Sequence, residues 1–243
     1  MKGKNGCGHF STALMLLLIA ALPQEFAAIT PRARLASADA RWLASVRLSH
    51  GDAVLAANGI GQTAAGEATR RLVASLPVEA VVSTGFAGAL HPDLRPGEIF
   101  VARSVAHGDT VYPCSMPVRT PDGSRKGIVR TVDRVVVTAR EKLELGCQGA
   151  GAVDMEASAV AEVATEAALP FYCLKAISDS AERDLPVDFN LALKPDGSLS
   201  LPAVARLATG VRSAWPGMWR LWRDSRHAAR SLAHCLDLCR FPA

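Results

Sequence analysis

Several features that would fix a function at once are missing from this chain. It has no internal repeat, no low-complexity tract and no apolar run of transmembrane length, which excludes solenoids, disordered linkers and membrane-spanning helices as its main architecture. Its six cysteines, Cys7, Cys114, Cys147, Cys173, Cys235 and Cys239, nowhere form a CxxC pair. No zinc framework or other metal site is therefore expected, and the thiols read as reduced side chains of a cytosolic protein. The glycine pair Gly59 and Gly61 is not completed into a G-x-G-x-x-G fingerprint, so no dinucleotide is inferred. Strong charge is also lacking. The formal net charge is +4, and residues 211–243 account for all of it, with six arginines against Asp224 and Asp237. The balanced remainder offers no nucleic-acid surface.

What is present suits one large α/β domain. A chain of 243 residues with a 49% apolar share can bury a substantial core. The most informative stretch runs from Val153 to Asp184. Ala157, Val160, Ala161, Val163 and Ala164 recur at roughly helical spacing, and Leu169-Pro170 ends that helix. Phe171 to Ile177 then reads as a buried strand delivering Ser178 and Asp179 at its C-terminal end, where open α/β sheets bind ligands. Asp154 and Glu156 precede the helix. Acids there are as readily caps and dipole partners as functional groups, and the residues alone leave both readings open.

The N-terminus poses a choice. Met1 to Leu22 has a basic start, an apolar run from Ala13 and small residues after it, the three parts of a secretory signal peptide. The alternative is a first, central strand over Leu16–Ala21 and a turn at Leu22-Pro23. Further along, two strands are expected around His50-Gly51-Asp52, then a tight Asn58-Gly59-Gly61 turn into a helix over Gln62–Leu76. Strands are expected over Val78–Ser83, Ile99–Val105 and Thr131–Thr138. The loop Thr84-Gly85-Phe86-Ala87-Gly88 lets backbone approach a ligand closely. His107 reads as a solvated loop histidine more readily than as a ligand contact. Trp215 to Cys239 reads as a basic amphipathic helix, suited either to a membrane surface or to packing on its own domain or a dimer partner.

The strings DMEASAVAEVA and LPFYCLKAISD, with ALPQEF, NGIGQTAAG and STGFAGAL before them in order, resemble the purine nucleoside phosphorylase and nucleosidase superfamily, specifically the methylthioadenosine/S-adenosylhomocysteine nucleosidases. The resemblance extends from about Leu16 to about Leu193. VVVTAREKLELGCQGAGAVDME and the region after Asp179 are more similar to the hopanoid-associated group, inferred to remove adenine from adenosylhopane. This implies a three-layer α/β/α sandwich around a mixed, twisted sheet, assembled as a homodimer. It favours the strand reading of the N-terminus, leaving residues 1–13 as a disordered extension or mis-called start, 14–210 as the domain and 211–243 as the basic helix.

The resemblance also assigns roles. Asp179 is the acid that protonates purine N7, oriented by Ser178, and Glu25 activates water. Glu156 binds the ribose hydroxyls and stabilises a cationic sugar; Met155 packs on the sugar face; Gly85, Phe86, Ala87 and Val136 contact substrate. Such an acid is expected in a desolvated site that keeps its proton near neutral pH. Phe86 departs from the small polar residue usual there, and no aromatic lies near Val135–Val137 to stack on the base. Ser83 stands where phosphorylases usually have arginine, and Leu22-Pro23-Gln24 where they have glycine-aspartate-proline, so water is favoured over phosphate. The expected partner is a 5′-modified adenosine, with no cofactor and a cytoplasmic location. Phosphorolysis, and nucleoside binding by an exported protein without turnover, remain the alternatives.

Overall fold

The computed structural model describes residues 15–32, 34–36, 40–210 and 214–242. The proposed extension at 1–13 lies outside them. The apolar run Met15–Ala20 is β1, hydrogen-bonded in parallel between β4 (Gly51–Ala57) and β5 (Val78–Ser83). All six of its residues are buried, because alternate side chains enter opposite cores. Met15, Leu17 and Ile19 face one cluster together with Ala65, Leu72, Val160 and Ala164. Leu16, Leu18 and Ala20 face another with Phe26, Ala228, Leu232 and Leu236. A strand apolar on both faces must be covered on both, which dictates helices above and below the sheet.

Those covering layers are α1 (Gln62–Ser75) and α3 (Ala157–Glu166) on one side and α5 (Ala214–Leu238) on the other. Each fully buried Leu contributes on the order of 2 kcal/mol, so β1 alone is a major part of the core. The strand order is β2 (Arg34–Ala36), β3 (Trp42–Leu48), β4, β1, β5, β11 (Phe171–Asp179), β6 (Phe86–Ala89), β10 (Ala150–Asp154), β9 (Arg125–Thr131), β7 (Ile99–His107) and β8 (Thr110–Pro113), with parallel and antiparallel neighbours mixed. This is the three-layer α/β/α architecture around a mixed sheet.

Its second half curls. β11 (Phe171–Asp179) pairs with β5 through its first residues, then with β6 (Phe86–Ala89) and β7 (Ile99–His107) through its last. β6 pairs with β10 (Ala150–Asp154), β10 with β9 (Arg125–Thr131), and β9 with β7. The pairings therefore return on themselves, and the C-terminal ends of β10 and β11 open at one mouth.

Two expectations are corrected. Residues 132–138 are not a strand, since β9 ends at Thr131. The amide and carbonyl of Val135 are taken instead by the side chain of Asn190, at 2.8 and 3.0 Å. Thr138 caps α2 (Ala139–Cys147) by accepting the Glu141 amide. The Gly-rich stretch after Ser83 is also not all loop, because Phe86–Ala89 is the short strand β6.

Candidate active site

Glu25 sits on the 3-10 turn Pro23–Phe26 immediately after β1 and is 5% exposed. Its two carboxylate oxygens accept the Leu22 amide at 2.7 Å and the Phe86 amide at 2.6 Å. Burial pushes its pKa above the ordinary range; the two amides and the Lys175 ammonium oppose that rise. Gly85 lies directly behind it. With φ at +108°, Gly85 holds a backbone that side chains rarely adopt, and a Cβ there would come within 2.5 Å of Glu25 Oε1. Gly85 thus makes room for Glu25, and Phe86 spends its amide on the same carboxylate.

Asp154, Met155 and Glu156 join β10 to α3. Asp154 accepts from Thr131 Oγ1 at 2.8 Å and from the Ala157 amide at 2.9 Å, and pairs with Lys175 at 2.8 Å. Here the cap reading of an acid before a helix holds: Asp154 anchors the first turn of α3. Glu156 reaches across to the Gly59-Gly61 turn, where Oε1 accepts the Gly61 amide at 2.8 Å. It is buried, and desolvation, reinforced by Asp154, raises its pKa to about 7. Lys175, fully enclosed on β11, is the cation shared by this group; it also donates to the Thr84 carbonyl at 3.1 Å. Asp154, Glu156 and Glu25 all feel it electrostatically.

At the end of β11, Ser178 Oγ donates to Asp179 Oδ1 at 2.7 Å. The other oxygen, Oδ2, is 2.6 Å from Lys142 Nζ. The site expected for this acid therefore also holds the Lys142 ammonium.

A cavity of about 260 Å³ brings these groups together, lined by Glu25, Phe86, Ala87, Val136, Met155, Glu156, Ser178 and Asp179 among others. All the expected site residues line it except Gly85. Sequence reasoning did not find Lys142, Ile60, Phe189, Leu193, Leu199 and Leu221, which also line it. Phe189 and Phe86 supply the aromatic surface missing near Val136. Arg134 reaches the rim but is held by Glu141. His107 lies away from the cavity, beside Gln62 and Asp133. Among the described residues no group of His, Cys, Asp and Glu is arranged to hold a metal ion, and no helix is long and apolar enough to cross a membrane. The five described cysteines are free thiols.

The family model described as the phosphorylase superfamily matches residues 16–125 and 119–198. The chain belongs to the phosphorylase superfamily. Among its relatives, the 5′-methylthioadenosine/S-adenosylhomocysteine nucleosidase of Shewanella denitrificans is 27% identical over 187 residues, 65% of this chain and 81% of that one. The nucleosidase of the same name from Shewanella oneidensis is 28% identical over 193 residues, 68% and 81% of the two chains. Among solved structures, the Neisseria meningitidis nucleosidase in complex with methylthio-immucillin-A superposes with a TM-score of 0.65 at 20% identity, covering 93% of this chain and 99% of that one. A futalosine hydrolase mutant of Helicobacter pylori gives 0.60 at 16% identity, covering 87% and 100%. These superpositions show the same fold.

Proposed function

We propose that this protein is an N-glycosyl hydrolase that splits a 5′-modified adenosine into adenine and a modified ribose. The observation that carries the reading is the charge of the cavity. Three buried acids, Asp154, Glu156 and Glu25, share one buried cation, Lys175. Breaking a glycosidic bond to ribose develops positive charge on the sugar. A site already holding excess buried negative charge is complementary to that transition state more than to the neutral substrate. In this reading Glu156 faces the sugar, with Met155 packing beside it. Glu25 takes a proton from the attacking water, and Asp179, oriented by Ser178, serves the departing base at N7. Water as nucleophile is supported by Ser83 and Leu22-Pro23-Gln24 at the phosphate-binding positions of phosphorylases.

The apolar wall of Ile60, Phe189, Leu193, Leu199 and Leu221 supports an apolar 5′ substituent. Adenosylhopane is the leading candidate from the C-terminal resemblance, with methylthioadenosine and S-adenosylhomocysteine from the core motifs. For a lipid-bearing substrate we assign peripheral contact with an anionic bilayer to α5. Trp215, Trp219 and Trp222 lie one turn apart on one stripe and are 58%, 61% and 54% exposed, which is unusual for tryptophan. Arg223 stacks on Trp219 and Arg226 on Trp222, at 5.6 and 4.7 Å from the ring centres. Aromatic and cationic groups on one exposed stripe suit a headgroup layer. The cytoplasmic location and the homodimer come to this reading from family resemblance alone. The test is product analysis with each nucleoside, with and without phosphate. Free modified ribose and adenine without phosphate are expected; release only with phosphate, as ribose 1-phosphate products, would reassign the protein to the phosphorylases.

A further inference from the structure

Helix α2 is built backwards for an ordinary amphipathic helix. Its one buried residue is Lys142, whereas Leu143 is 37% exposed. The remaining charges of α2 behave as surface groups, Arg140 pairing with Glu144 and Glu141 with Arg134. Burying an ammonium while turning a leucine toward solvent is unfavourable unless the ammonium finds strong partners. It finds three: Asp179 Oδ2 at 2.6 Å and the carbonyls of Ser180 and Arg183, both at 3.0 Å. An ammonium has three donors, so all are used. Ser178 holds the other Asp179 oxygen, and Lys142 itself lines the cavity.

We propose that Lys142 is a positioning residue that acts through Asp179 on departure of the leaving base. This rests on the nucleosidase reading above. By fixing Oδ2 and binding the segment just after it, Lys142 leaves the carboxyl one orientation toward the base, while Glu25 and Glu156, on other elements, serve water and sugar. Its loss therefore harms only substrates whose leaving group needs help from Asp179. A strut that merely holds residues 180–184 in place would affect every substrate alike.

The test compares an adenine nucleoside that the wild-type enzyme hydrolyses with a 4-nitrophenyl β-riboside carrying the same 5′ group, whose nitrophenolate departs unprotonated. In Lys142→Met, and in Lys142→Gln, which keeps a donor for the carbonyls, kcat/KM on the nucleoside falls on the order of 100-fold or more. On the nitrophenyl riboside it changes by less than about threefold, the margin expected when the leaving group needs no acid. Adding either change to Asp179→Asn costs nothing further, because both act on one step. Equal losses on both substrates, additive losses, or failure of both variants to fold would make Lys142 a structural strut and overturn the proposal. Absence of adenine release from any nucleoside by the wild-type enzyme would instead remove the nucleosidase reading, before any variant is compared.

Discussion

Glu156 should cost the protein stability wherever it is charged, and removing that charge should show it. In Glu156→Gln the amide oxygen can still accept the Gly61 amide, so the hydrogen bond at 2.8 Å is retained while the charge is lost. The carboxyl's pKa rises from its ordinary 4.5 to about 7 because burial, then Asp154, disfavour the anion. The folded state consequently keeps this proton after the unfolded chain has released it. The contribution to stability is complete below about 4.5, is lost as pH rises through about 7, and is absent above. At about 1.4 kcal/mol per pKa unit, ionising the native carboxyl costs about 3 kcal/mol at pH 8.5. For a domain of this size that is about 6–12 °C in Tm.

Differential scanning fluorimetry of wild type and Glu156→Gln from about pH 4 to about pH 8.5, a range chosen to bracket both ends of that linkage, reads the effect directly. The curves should nearly meet at the acid end and separate with rising pH, the variant being the more stable. Its turnover should be lost, since the sugar no longer meets an anion. A gain in Tm independent of pH, or no gain at alkaline pH, would refute the claim that Glu156 is held charged against its burial.

Other outcomes follow from the same geometry. Glu25→Gln and Asp179→Asn should each lower kcat at least 100-fold with a Tm within a few degrees of wild type, as expected when a general base or acid is removed without repacking; near-normal turnover in either variant would take that residue out of the mechanism. Gly85→Ala should reduce activity about as much, because its Cβ drives into the Glu25 carboxylate, and a crystal structure of the variant should show Glu25 displaced. Lys175→Met should destabilise by about 3–5 kcal/mol in denaturant melts, since it leaves the buried Asp154 without its countercharge. On vesicles containing anionic phospholipid the tryptophan emission should shift to the blue; loss of that shift at high salt or in Trp219→Ser supports docking, whereas a concentration-dependent dimer lost in the same variant would assign the stripe to a second copy.

Much of this was legible in the sequence, for identifiable reasons. β1 is an unbroken apolar run, β5 and β11 are apolar on both faces but for Glu79 and Lys175, and their ends are marked by Pro23, Pro77 and Pro170. The helix over Ala157–Glu166 shows its stripe of alanine and valine. Residues 132–138 resemble a strand because of Val135, Val136 and Val137. The contrary signal was there: Thr138 followed three residues later by Glu141 is a helix-start pattern. Lys142 was invisible for a different reason. Nothing local distinguishes the buried lysine in Ala139–Cys147 from the exposed charges around it, because its partners are about 40 residues away and meet it only when β11 closes against β6. Phe189, Leu193 and Leu199 likewise reach the cavity through an irregular segment, where no periodicity reports which side faces inward.

The two buried lysines divide the acids of the cavity between two jobs. Lys142, together with Ser178, fixes Asp179 at the end of β11. Lys175 is bonded to Asp154, which Thr131 and Ala157 also hold at the start of α3. What remains is Glu25 and Glu156, both driven up in pKa by burial and both without a cation of their own. A neutral nucleoside does little to relieve that imbalance, but a sugar gaining positive charge relieves it directly. The burial that raises the Glu156 pKa is therefore expected to show twice, as the alkaline stability gain of Glu156→Gln and as the loss of its turnover. A variant that became more stable at alkaline pH and kept full activity would break that link.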